Sequence, residues 1–254
     1  MFKNALIFSA VFLVLGGCGG NSFTSSTGSG GGGSTTGQAQ GVYSGTSSNG
    51  YNFSTIVLPN DKFYAIYGTV TGNVLYVYGM MTGQGTSGSS TYTASVTDFF
   101  YTGAINSGSV SASYVPGSSL NGTITENGNM TTFTGASLPT SSFNYNTPAS
   151  VSDISGSWTG TLLDGMSTSV TINSNGDVTG SSSGCSFSGT VVADSSNKNF
   201  FDVSLTYGGS PCASPNQTAT GVGVYYLLPD GITHQLLAAV NIGTSSGTVF
   251  FAQR

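Results

Sequence analysis

"FFDVSLTY", residues 200–207, alternates at every step: Phe201, Val203, Leu205 and Tyr207 fall on one side of an extended chain, Asp202, Ser204 and Thr206 on the other. Side chains of a strand point alternately to opposite faces, so a period of two with one apolar set marks an antiparallel strand with one buried and one wet face. The same period recurs nearby. In "MSTSVTI", Met166, Thr168, Val170 and Ile172 share a face, and in "CSFSGTV", Cys185, Phe187 and Val191 alternate with Ser186, Ser188 and Thr190. The helical period of 3.6 is absent. The fold class is all-β.

Turn residues cut this half into strands. Asn175-Gly176 and Asp230-Gly231 fit two-residue hairpins in which both central positions take φ > 0. From Trp158 onward eight strands are expected, at 156–163, 166–173, 177–182, 184–193, 199–207, 218–228, 233–241 and 247–253. Eight short strands joined by tight turns suit a small up-and-down barrel, which removes exposed edges. A β-sandwich is the alternative, because closure is not written in the strand pattern. The first half reads as a diverged relative: "GVYSG" at 41–45 matches "GSWTG" at 156–160, and Asn49-Gly50 stands where Asp164-Gly165 does. "NTPASVSD", 146–153, is the expected boundary, giving two antiparallel β-domains at 41–147 and 152–254.

The 254 residues carry nine acidic side chains, four basic ones and a single histidine, for a net charge of −5. Past residue 18 the basic groups are Lys62, Lys198 and Arg254, so no basic patch exists to neutralise phosphates and nucleic acid is excluded as a partner. The surface must be built from Ser, Thr, Asn, Gly and Tyr.

The N-terminus supplies an address. Lys3 followed by "ALIFSAVFLVL" has the charge and apolar core of a secretory signal, and the core is too short to span a bilayer as a helix. "LGGC", 15–18, resembles the bacterial lipobox, which implies that residues 1–17 are removed and that Cys18 is acylated and becomes the new N-terminus. Gly19 follows rather than an inner-membrane-retaining Asp, so the outer membrane is the expected destination. The Gly/Ser/Thr-rich run to residue 40 is expected to be a flexible tether.

"GSWTG" opening an eight-strand pattern also resembles the lipocalin and avidin superfamily. That resemblance implies that Trp158 closes one end of the barrel, with Arg254 as the late basic residue against it. Biotin is not implied, since Trp158 is the chain's one tryptophan. Two β-domains on a lipid tether, ending in "GTVFFAQR", are similar to the transferrin-binding-protein and factor-H-binding groups of surface lipoproteins.

Chemistry is sparse. His234 shares a face with Leu236, Ala238 and Val240 and reads as a barrel residue at a strand start. "GSSSG" at 180–184 and "GTSSG" at 243–247 match G-x-S-x-G, but both lie between β-runs, whereas a hydrolase elbow joins a strand to a helix. "NSNGD", 173–177, lacks the later glutamate of a calcium loop, and no His/Cys cluster suits zinc. With no paired acids at a plausible site and no base beside a nucleophile, the expectation is no enzyme, no cofactor and no metal.

Aromatic side chains remain. They cluster in "FYAIY" (63–67), "LYVY" (75–78) and "FFY" (99–101), and in the first Phe63, Ala65 and Tyr67 alternate with Tyr64 and Ile66, so both sheet faces hold rings. Tyr64, Tyr76, Tyr78 and Tyr101 are therefore the candidate ligand-binding residues, with packing between the two domains as the competing use. Cys185 and Cys212 form an even pair once Cys18 is committed to lipid, and the strand order brings them together, so a disulfide is expected that pins the 208–217 loop to the barrel rim. The functional expectation is a membrane-anchored, non-catalytic binding module at the cell envelope, for a surface protein, a glycan or a small apolar ligand. The alternative is a structural envelope lipoprotein. A barrel filled by its own side chains favours the structural role, and an open apolar cavity favours binding.

Overall fold

The alternation that opens the sequence reading is physical: Phe201 and Val203 are buried in an apolar interior with Leu205 and Tyr207 packed beside them, while Asp202 and Thr206 face outward. The computed structural model describes residues 38–71, 74–228 and 230–254. The signal segment, Cys18 and the tether up to residue 37 lie outside the described residues.

Sixteen strands form two closed barrels. The first contains β1 (Gly41–Ser47), β2 (Asn52–Val57), β3 (Lys62–Thr71), β4 (Val74–Ser87), β5 (Thr91–Phe100), β6 (Ile105–Val115), β7 (Ser119–Glu126) and β8 (Asn129–Ser137). After a one-turn helix, α1 (Val151–Ile154), the second contains β9 (Gly156–Leu162), β10 (Ser167–Ile172), β11 (Asp177–Ser182), β12 (Cys185–Ala193), β13 (Phe201–Tyr207), β14 (Thr218–Leu227), β15 (His234–Ile242) and β16 (Ser246–Gln253). Each strand pairs antiparallel with the next. Closure comes from β1 on β8, with Tyr43 opposite Ser137, and from β16 on β9, with Phe251 opposite Thr161. Those closing ladders rule out the β-sandwich.

Both barrels open with the same device. Tyr43 and Trp158 occupy the third position of their strands, are fully buried, and each donates a side-chain hydrogen bond to the carbonyl four residues upstream: Tyr43 Oη to Ala39 O at 3.0 Å, Trp158 Nε1 to Ile154 O at 2.7 Å. Two residues later, a Cβ on Gly45 or Gly160 would collide with the closing strand, at Thr134 O or Phe251 O. Only glycine lets the ends of the sheet approach this closely. The turns that follow also match: Ser47 N donates to Tyr51 O and Leu162 N to Met166 O, each at 2.9 Å, with Gly50 and Gly165 both at φ 85°.

That turn corrects the expected hairpin chemistry. At Asn175-Gly176 only the glycine has positive φ, 89°, and Asn173 N donates to Asp177 O at 2.8 Å. The loop is a three-residue turn ending in a left-handed glycine, so Asn175 stays in an ordinary conformation. Its side chain instead bonds Asp177, which makes "NSNGD" a hairpin whose acid is already engaged.

The core has three parts. Tyr43, Phe63, Tyr92, Tyr114 and Phe133 fill the first barrel. Trp158, Val170, Val191, Phe201, Leu236 and Phe250 line the second. Between the barrels, Ile56, Ile66, Met80 and Phe99 of the first meet Val222, Ala239, Val249 and Phe251 of the second. Phe99 packs where Gly247 has no side chain, since a Cβ there would lie 2.5 Å from its ring. The segment between the barrels belongs to this packing as well: Tyr145 is buried, stacks on Phe200 at 6.3 Å and donates to Val57 O at 3.2 Å.

Candidate functional site

The interior of the second barrel is hollow. A cavity of about 550 Å³ runs along its axis, walled by Val170, Val203, Leu205, Leu236, Ala238 and Val240. Ligand pockets fall in this range of volume and are mostly apolar with a few polar groups that fix orientation. The hollow has a local cause. Small residues on β14 and β15, Gly223 and Ala238, stand in its wall, and a Cβ on Gly223 would make only ordinary contacts, the nearest to Val203 Cγ2 at 3.4 Å.

One end is shut. Trp158 is 2% exposed, and the guanidinium carbon of Arg254 lies 4.0 Å from its ring centroid. Arg254 Nη1 and Nη2 also donate to Ser155 O and Asp153 O, at 2.9 and 2.7 Å, which ties the end of the chain across α1. Trp158 and Arg254 are thus in direct contact at this end of the barrel. His234 sits at this end too, stacked on Tyr225 with centroids 5.1 Å apart.

The other end is a rim of turns: Leu163 to Met166, Ser182 and Ser183, Ser246 and Gly247, and the loop with Pro211, Ala213 and Ser214. Cys185 and Cys212 are disulfide-bonded with Cα atoms 4.5 Å apart, so the bridge holds that loop on the rim as expected. The first barrel contributes as well, through Phe100, Tyr101 and Gly103 at its β5–β6 turn. One polar atom inside the cavity is left over. Thr168 is 1% exposed and its Oγ1 has no hydrogen-bond partner.

The candidate tyrosines separate. Tyr101, 52% exposed, stands at the rim and touches Tyr78 at 6.0 Å between centroids. Tyr78 is the extra residue of a β-bulge, where Tyr67 pairs with Gly79 but Gly68 pairs with Val77. Tyr51 then packs on both Tyr67 and Tyr78, at 5.7 and 5.6 Å. These rings close the first barrel beside the mouth of the second. Tyr76 is half-buried beyond the bulge. Tyr64 is 4% exposed in the core between the barrels, with Lys62 Nζ 4.8 Å from its ring centroid.

Paired acids escaped the sequence reading. Asp98 and Glu126 sit on β5 and β7, and their alternation with Val96 and Ile124 turns both inward at the end that the tyrosines close. Asp98 is 1% exposed, and its two oxygens accept from Tyr67 Oη at 2.8 and 3.0 Å. Burial, first, and then the Glu126 charge push its carboxyl up to about 7, against the lowering effect of the Tyr67 bond. Burial raises Glu126 as well, and its Oε1 has no partner. A signal existed in the alternation, but pairing acids across β6 required the register. Asp98 lies buried beneath Tyr67. Among the described residues, no three His, Cys, Asp or Glu gather as a metal site, and no helix is long and apolar enough to cross a membrane.

No protein-family model matches the chain, and no curated protein matches it by sequence. Two solved structures are among those similar to it. Isotype 1 transferrin binding protein B from serogroup B Neisseria meningitidis is 12% identical over 81% of this chain and 66% of its own, with a TM-score of 0.26. A protein of unknown function of the DUF3598 family from Nostoc punctiforme is 13% identical over 85% of this chain and 96% of its own, with a TM-score of 0.27. The chain thus spans about two thirds of the transferrin-binding structure, and nothing about ligand or partner is taken from either likeness.

Proposed function

We propose that this is an exported, lipid-anchored binding protein of the outer membrane, non-catalytic, whose second barrel takes a small apolar ligand. Residues 1–17 are the signal, Cys18 carries the acyl chains, the tether runs to residue 40, and the two domains are 41–147 and 152–254. The observation that carries the binding role is the 550 Å³ apolar cavity inside the second barrel, with the disulfide-bonded loop at its rim. A structural lipoprotein has no use for a hollow barrel, whose empty core forfeits packing contacts. The sequence around Cys18 and the sparse charge support the anchoring part of the reading.

Two measurements test it. Replacing Cys18 with Ser removes the acylated thiol, so the variant is expected in the soluble fraction with no acyl mass on its N-terminal peptide. Wild-type protein lacking that mass overturns the anchor. The purified Cys18→Ser chain, free of detergent, should bind the uncharged fluorophore N-phenyl-1-naphthylamine saturably. Filling the cavity by Ala238→Phe is expected to weaken that binding at least tenfold, about 1.4 kcal/mol. Unchanged binding would remove the barrel interior as the site.

A further inference from the structure

Strand β15 separates two cavities. Leu236, Ala238 and Val240 face the barrel interior, while Gln235, Leu237 and Ala239 face the first barrel, where a second cavity of about 440 Å³ lies in the groove between the domains. Its floor is the packed core of Ile56, Ile66 and Val222, but Val224, Tyr226 and Leu237 remain half-buried at its walls. The two barrels therefore meet without filling the space between them. None of the described residues that line it is charged.

Among the polar side chains of its lining, one buried atom has no hydrogen-bond partner. Gln235 is 2% exposed; its Oε1 accepts from Gln253 Nε2 at 3.0 Å, and its own Nε2 has no partner. A buried donor left unpaired is costly, and an apolar residue of the same shape would avoid the cost. Gln253 uses only the Oε1 of Gln235, so Nε2 is left as a donor for an acceptor in the groove. Rings from both domains, Tyr64, Phe143, Tyr226 and Phe251, provide flat apolar surface around the space.

We infer that the groove between the barrels is a second binding site, for an uncharged, mostly aromatic molecule whose carbonyl or ether oxygen accepts from Gln235 Nε2. The absence of charge from the lining disfavours ionic ligands, since a buried ion without a partner is strongly penalised. The volume is that of an ordinary small-molecule pocket, and domain interfaces are a common place for one. This site is distinct from the barrel cavity and does not depend on it.

The probe is 6-propionyl-2-dimethylaminonaphthalene, a neutral naphthyl ketone whose emission moves to the red when its carbonyl accepts a hydrogen bond. Saturable binding to the full mature Cys18→Ser chain is expected. Leu237→Trp, which occupies the groove, should abolish it and leave N-phenyl-1-naphthylamine binding intact. Ala238→Phe, one residue away on the other face, should leave it unchanged. Gln235→Leu should weaken it about tenfold and shift the bound emission to the blue. Loss of ketone binding in Ala238→Phe but not in Leu237→Trp places the probe in the barrel and overturns the second site while sparing the first. Equal affinity and emission in Gln235→Leu overturn the role of the amide. Absence of saturable ketone binding overturns the proposal outright. Val224→Phe and Gln235→Met serve as substitutes if thermal melts show that the first variants do not fold.

Discussion

At pH 8 the Asp98→Asn protein is expected to resist denaturant better than wild type, by about 2–4 kcal/mol, and near pH 4 the two should be equal. Asp98 is raised in the fold from 3.8 to about 7 because burial disfavours its charge. Below pH 4 the carboxyl is protonated in both states and costs nothing. Between pH 4 and pH 7 the unfolded chain ionises while the folded one does not, so stability falls as pH rises. Above pH 7 the penalty is constant, about 1.4 kcal/mol for each of roughly three pH units at most. Asparagine does not titrate, still accepts from Tyr67 Oη, and places a donor rather than a charge beside Glu126. Urea titrations at the two pH values decide it. A variant weaker than wild type at pH 8 means that the folded protein holds Asp98 ionised and well solvated.

Trp158→Ala should lose about 3–5 kcal/mol, the range for deleting a large buried ring. Three interactions disappear together: the hydrogen bond to Ile154 O, the Arg254 contact and the edge-on contact with Tyr225 at 6.2 Å between centroids. Trp158→Phe keeps the ring but not the donor and should lose about 1–2 kcal/mol. Since Trp158 is the chain's one tryptophan, unfolding is followed by circular dichroism rather than by its fluorescence. Alanine also opens the shut end of the cavity, so retained N-phenyl-1-naphthylamine binding should be weaker. Equal losses for the two variants would show that the hydrogen bond, rather than packing, holds this end.

The second barrel was legible nearly strand by strand, because its outward residues are Ser and Thr and its inward ones apolar. The first barrel was blurred by function of place. Strand β3 is apolar on both faces, since Phe63 and Ala65 fill the barrel while Tyr64 and Ile66 meet the second domain. Around Tyr67 a bulge breaks the period altogether. The disulfide was readable from an even cysteine pair and strand order. The cavity was not, because a hollow is a deficit in summed side-chain volume that appears only after closure. Nor was the role of Gln235, whose amide became an orphan only when the first barrel covered it.

Closure has a consequence for how the chain reaches its native state. Tyr43 pairs with Ser137, and Trp158 lies in a strand whose other edge waits for Phe250 to Ala252. During folding, each half must remain an open sheet with two free edges until its eighth strand is in place. Most natural sheets guard such edges with lysine, but the three basic residues beyond Cys18 leave these edges flanked by hydroxyls. Among the described residues, the two closed barrels leave no unpaired strand edge. The folding chain meets the hazard of edge-to-edge association twice, and its yield is set by how quickly each ring meets its own beginning rather than a neighbour's.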